Sequence, residues 1–213
     1  MKQLIWGPPL YKTEVDINLV NALLKASKLQ NIPNNEYLAG RIENEKLFDS
    51  DTKNAFKNDI LIYIKKYYSL ISKNENINNV GFDLESLWVN FQKCNEYNPP
   101  HTHNGDISFV IYVNIPSEIE NETNFTNSFK NGSISFSYGN TTFPRIDTYD
   151  TAARFREVLQ PKTVINHLPQ TGDMFIFPSY LIHFVEAFTT KNVERISISG
   201  NVNLFENKIK GLI

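Results

Sequence analysis

Between residues 87 and 202 the chain returns six times to one kind of short run, at 87–91, 107–113, 133–138, 163–168, 174–177 and 195–202. Each run is rich in β-branched and aromatic residues, several alternate apolar with polar, and Pro, Gly and Asn clusters separate them. Runs this short cannot make independent helices, and their branched side chains fit a pleated surface better than a helical one. The pattern therefore predicts a β-sandwich or jelly roll.

The first third reads differently. Val15, Leu19, Leu23 and Leu24 form one stripe at helical spacing, which predicts a helix over 16–29 starting near Asp16. Phe56, Ile60, Ile64, Tyr67 and Ile71 predict a second helix over 51–72, with Asp51 or Thr52 as its cap. A polar, turn-prone stretch at 73–79 closes the helical part. The expected organisation is one domain over 1–213, mainly β with N-terminal helices: 1–80 as helical support and 81–205 as the jelly-roll core. The polar stretch 117–131 is long for a connection and is expected to act as a lid or insert.

Composition narrows the function classes. A formal net charge of -2 gives no basic footprint for nucleic acid or an anionic membrane. No apolar run approaches the about 18 residues of a membrane span, and the N-terminus lacks the apolar core of a signal peptide. The single cysteine, Cys94, forms no internal disulfide and fits a reducing compartment, so a cytoplasmic location is expected.

The chain has only four histidines, and two fall in one tripeptide, His101-Thr102-His103. Side chains at i and i+2 of an extended segment share a face, so both imidazoles can address one point. Neutral imidazole is the commonest ligand for redox-active metals, and two histidines with a carboxylate suit non-haem Fe(II). His103 and His183 are the leading pair, with either His101 or Asp106 as third ligand. His167 sits in an alternating strand beside no other ligand type and reads as structural.

Arg195 opens an apolar strand, where an unpaired guanidinium is costly. Glu194 or Glu186 could pair with it at the surface; a small dicarboxylate could do so from within. Ser197 shares the face of Arg195, while Ser108 and Tyr112 share a face of the strand 107–113. All four are candidates for holding such a ligand.

These motifs, taken in order, resemble the 2-oxoglutarate- and Fe(II)-dependent oxygenases, in particular their prolyl-hydroxylase-like branch. The stretch YNPPHTHNGDISFVIYV at 97–113 is similar to the family's first iron motif and following strand. GDMFIFPSYLIH at 172–183 is similar to its Gly-Asp, strand, Pro-Ser, His segment, and ERISI at 194–198 to its arginine strand. The likeness covers about residues 88–204. It implies a double-stranded β-helix core, with Fe(II), 2-oxoglutarate and O₂ used to hydroxylate a C–H bond. By that likeness His103 and His183 are catalytic as metal ligands, and Arg195 anchors the cosubstrate's far carboxylate.

The chain departs from the family's usual His-x-Asp. If His101 is its first histidine, His103 occupies the carboxylate position; if His103 is first, Asp106 lies one residue too far along. The expected substrate is a prolyl or other amino-acid side chain, in a peptide or a small amino-acid-like molecule. The competing expectation is a cupin-like metal-binding β-barrel that does not use 2-oxoglutarate.

Overall fold

The computed structural model describes residues 7–34, 39–72, 77–122, 130–139 and 163–207. Strand β1 (Tyr11–Glu14) is followed by helix α1 (Ile17–Ser27), which Asp16 caps by accepting from the Asn18 amide at 2.8 Å. A side-chain acceptor there satisfies one of the free first-turn N–H groups. Strands β2 (Ile32–Pro33) and β3 (Glu45–Leu47) lead into α2 (Ser50–Ile71). Its cap is Asp49, not Asp51 or Thr52 as expected: the Asp49 carboxylate accepts from both the amide and the hydroxyl of Thr52.

After a 3₁₀ turn (Ile77–Asn79) come β4 (Val80–Gln92), β5 (Asn98–His101), β6 (Ile107–Asn114) and a short helix α3 (Ser117–Glu120). The chain continues through β7 (Ile134–Ser137), β8 (Val164–His167), β9 (Asp173–Pro178), β10 (Ile182–Val185) and β11 (Arg195–Glu206). Of the expected turn at 73–79, residues 73–76 lie outside the described residues; of the expected insert at 117–131, residues 123–129 do.

The strands form a seven-stranded sheet ordered β1-β9-β6-β11-β4-β3-β2 and a four-stranded sheet ordered β5-β10-β7-β8. Every pairing is antiparallel. The mainly β, double-stranded β-helix core is thus present. The N-terminal part is more than helical support, because β1 pairs with β9, and β3 pairs with β4 by setting Glu45 opposite Asn90.

Alternation decides what each face of the large sheet meets. Phe109, Ile111 and Val113 of β6, with Val89, Ile198 and Met174, pack against Leu23 of α1 and Ile60 and Ile64 of α2. Val110 and Tyr112, with Phe175 and Phe177, turn the other way and meet Ile134, Phe136 and Val185 of the small sheet. Covered on both faces, β6 and β9 read as nearly continuous apolar runs. Among the described residues no helix is long and apolar enough to cross a membrane.

Candidate active site

His101 and His183 are direct cross-strand partners in the β5–β10 pair, so their side chains leave the sheet on one face. His103 follows two residues later on the same side. Its amide donates to the Ser179 carbonyl at 2.9 Å, and the Ser179 amide donates to the Asp106 carbonyl at 3.1 Å. Gly105 makes the turn between them with φ +86, a backbone that side-chain-bearing residues rarely adopt. These bonds lace the 103–106 turn to the segment just before His183.

Ligand atoms of His101, His103 and His183 all lie within 4.8 Å of one another. The Nε2 atoms of His103 and His183 are 3.1 Å apart. Two imidazole nitrogens each about 2.1 Å from one ion, at right angles, would stand about 3.0 Å apart. The tautomers suit the task as well. A carbonyl can only accept, so Nδ1 of His101 donates to Pro99 O at 2.7 Å and Nδ1 of His183 to Leu181 O at 2.9 Å. Each Nε2 is left with its lone pair, the second-sphere arrangement common to metal-binding histidines.

Burial holds all three rings neutral. It lowers the His101 pKa, brings His103 to about 4 with help from His101, and brings His183 to about 3 with help from both neighbours. Neutral imidazoles are ready donors for a cation. Asp106 stands apart from the group: its carboxylate accepts from the Leu204 amide at 2.7 Å. His167 stands apart too, with Nε2 3.2 Å from Asp173.

Arg195 lies in the same cleft and is 3% exposed. Its guanidinium donates to Gly132 O and Gln92 Oε1, both neutral acceptors, while its Nε is buried without a partner. Neither Glu194 nor Glu186 pairs with it, and among the described residues no carboxylate does. Gly132 has φ +73, and a Cβ there would lie 2.8 Å from Ile119, so a glycine is what brings this carbonyl to the guanidinium. The Tyr112 ring lies 5.6 Å from the guanidinium carbon, and its hydroxyl is also buried without a partner. Burial pushes that phenol up to about 12 against the opposing pull of Arg195, so it stays a donor.

The three histidines, Arg195, Tyr112 and Ser197 all line one cleft. A dicarboxylate could bridge the imidazole cluster and the unpartnered donors of Arg195 and Tyr112. Ser108 departs from expectation. Its hydroxyl donates to Asn201 and shares a bond with Ser179, both at 2.8 Å, and it does not line the cleft. The sequence reading missed Trp88, Asn90, Gln92, Glu45, Asn98 and Ser199, which do. Only Ser199 carried a signal, being four residues from Arg195 on the same strand face.

A family described as "Putative 2OG-Fe(II) oxygenase" matches residues 86–201. No curated protein matches the chain by sequence. Among solved structures, the chain resembles a Pseudomonas putida prolyl-4-hydroxylase at 13% identity and TM-score 0.52, over 91% of each chain. It resembles the viral collagen prolyl hydroxylase of Paramecium Bursaria Chlorella virus-1, solved with 2-oxoglutarate, at 11% identity and TM-score 0.53, over 91% of this chain and 94% of that one. HygX from Streptomyces hygroscopicus, solved with nickel, 2-oxoglutarate and hygromycin B, aligns at 9% identity and TM-score 0.54, over 91% and 82%. These likenesses speak to the fold, and the family match spans the histidine cluster and the arginine strand together. By that match, which takes in more than half of its residues, the chain belongs to the 2OG-Fe(II) oxygenases.

Proposed function

We propose that this oxygenase hydroxylates an unactivated C–H bond of a prolyl or other amino-acid side chain, in a peptide or a small amino-acid-like molecule. His101, His103 and His183 hold Fe(II), with Asp106 outside the ligand set, and Arg195 and Tyr112 hold the far carboxylate of 2-oxoglutarate. The observation that carries the reading is the buried, acid-free Arg195 in the same cleft as three clustered imidazoles.

Bound Fe(II) and 2-oxoglutarate supply the oxidising power, O₂ being spent in converting the cosubstrate to succinate and CO₂ while C–H becomes C–OH. The chain's own residues orient and screen. The Pro99 and Leu181 carbonyls fix two imidazoles with Nε2 free. Arg195 presents a planar fork to a carboxylate in a place where charge is poorly hydrated. Val110, Ile134, Phe177 and Val185 give the same cleft an apolar wall.

Two of the structural likenesses are to prolyl hydroxylases, which favours an amino-acid side chain as target, and HygX in complex with hygromycin B extends the fold to small molecules. A cytoplasmic site of action, where Cys94 stays reduced, fits this chemistry, and no nucleic-acid partner is expected from a net charge of -2. The competing reading, a metal-binding β-barrel without 2-oxoglutarate, gives the buried guanidinium no anionic partner. The test is an anaerobic titration with Fe(II) and 2-oxoglutarate. A visible charge-transfer band of the chelate is expected, and its absence from the wild-type protein would overturn the proposal.

A further inference from the structure

The cleft also holds buried acceptors that neither the histidines nor Arg195 uses. Glu45 Oε2, Asn90 Oδ1 and Asn98 Oδ1 are buried acceptors with no donor, and all three residues line the cleft. Glu45 is 1% exposed and Asn90 4%. Strand register explains the grouping, since Glu45 of β3 lies opposite Asn90 of β4, which in turn lies opposite Ser197 of β11. Glu45 Oε1 would lie 2.8 Å from a Cβ at Gly40, and Asn98 Oδ1 would crowd the same point. A glycine at 40 is what lets those two side chains occupy one corner.

Such an arrangement is costly with nothing bound, because each buried acceptor has left water without compensation. It is asymmetric in kind as well. Arg195 and Tyr112 offer unused donors, whereas Glu45, Asn90 and Asn98 offer unused acceptors, one of them a carboxylate. A further negative charge stands nearby: Glu96 accepts from the amides of Glu43 and Lys93 and raises the pKa of Glu45, after burial. A primary ammonium has three N–H donors and no acceptor, which matches three orphaned acceptors, one of them on an acid.

We propose that Glu45, Asn90 and Asn98 form the subsite for a primary ammonium group of the substrate. The inference rests on the reading of this cleft as the substrate site, and it narrows the substrate class to amine-bearing molecules, such as a lysyl side chain or a free amino acid. Glu45 supplies the charge, and the two amide oxygens take the remaining N–H groups. When ionised, the carboxylate accepts whichever way the amides are turned.

Trp88 lines the cleft and is one of two tryptophans in the chain, so in a Trp6→Phe background its fluorescence reports occupancy. Butylammonium, butanol and butanoate are titrated at pH 8 without metal. Butylammonium should bind at least ~10-fold more tightly than either of the others. Glu45→Gln should erase that preference while far-UV circular dichroism stays unchanged. Asn98→Leu, which removes an acceptor without changing charge, should weaken butylammonium alone. Equal binding of butanol, failure of all three probes to bind, or an amine preference that survives Glu45→Gln would each overturn the subsite. If the preference appears but the 2-oxoglutarate chelate band does not, the oxygenase reading fails and the subsite stands. The reverse result removes the subsite alone.

Discussion

Arg195 and Tyr112 meet across the β6–β11 pairing with the guanidinium carbon 5.6 Å from the ring centre, yet the Nε of one and the hydroxyl of the other are both buried and unpartnered. The polar partners that Arg195 does have, Gly132 O and Gln92 Oε1, are neutral. Burial lowers the guanidinium pKa against the influence of Tyr112, which is the physical mark of a charge held out of water at a cost. On the proposed reading, a carboxylate arriving beside Arg195 offsets that cost.

Replacing Arg195 with methionine separates the two contributions. The change removes a buried charge and fills its volume, but it also leaves Gly132 O and Gln92 Oε1 without their donor. The two effects on stability oppose each other. The melting temperature without ligand should therefore move by no more than a few degrees in either direction. The affinity for 2-oxoglutarate should fall by at least ~100-fold, about 3 kcal/mol, with iron content unchanged. Thermal melts with and without 2-oxoglutarate, alongside metal analysis, read both. A variant that unfolds readily but still gains full stability from 2-oxoglutarate would refute the anchor role.

The metal set is tested by substitution at each candidate. Ala at His101, His103 or His183 should reduce Fe(II) bound under anaerobic conditions to a small fraction of wild type. Asp106→Asn should retain the metal and cost less than about 1 kcal/mol, because that carboxylate accepts a single exposed bond from the Leu204 amide. Iron measured after gel filtration decides. Loss of iron in Asp106→Asn with retention in His101→Ala would reverse the assignment.

The runs at 87–91, 107–113, 174–177 and 195–202 were legible because strands buried on both faces leave a dense β-branched and aromatic record. Those at 133–138 and, in a half-exposed edge strand, at 163–168 showed through their own β-branched and aromatic residues. β1, β2, β3, β5 and β10 were not legible, for they are short and, unlike the equally short β7 and β8, were not set in a longer β-branched or aromatic run. Their form is owed to the strand beside them. The same divide runs through the site. His101 and His103 announce themselves by spacing. That His101, and not Asp106, faces His183 follows only from the β5–β10 register. Glu45 had no local signal at all, since a charged residue in a three-residue strand reads as surface until its pairing with Asn90 is known. Ser108 misled because the alternation that gives its face does not say how far along the strand the cleft extends.

Gly200 sits where β11 is sandwiched most tightly. A Cβ there would lie 2.6 Å from the Phe109 ring and 2.7 Å from the Ser86 carbonyl oxygen. The backbone oxygen cannot move aside without disturbing the β4–β11 ladder. Gly200→Ala should therefore destabilise by about 2 kcal/mol, within the range for overpacking a core. Urea unfolding would show it as a lower midpoint with an unchanged slope. Wild-type stability in that variant would mean that the strands can shift to admit a methyl group.

Glu45 makes stability depend on pH in a direction opposite to most carboxylates. Burial, with Glu96 second, raises its pKa from 4.5 to about 7, so the folded state holds the proton more tightly than the unfolded chain does. Below pH 4.5 the group is protonated in both states and contributes nothing. Between 4.5 and 7 the unfolded chain releases its proton first, and the folded state loses stability as pH rises, up to about 3 kcal/mol. Glu45→Gln removes that loss. The buried histidines titrate in the opposite sense over an overlapping range, but they are common to both proteins and cancel in the difference. The stability of Glu45→Gln minus that of wild type, from chemical denaturation, should be near zero at pH 4.5 and grow to about 3 kcal/mol by pH 8. A difference that stays flat across this window would mean that the carboxyl group ionises as it would in water, and that these acceptors of the cleft are solvated rather than waiting for a donor.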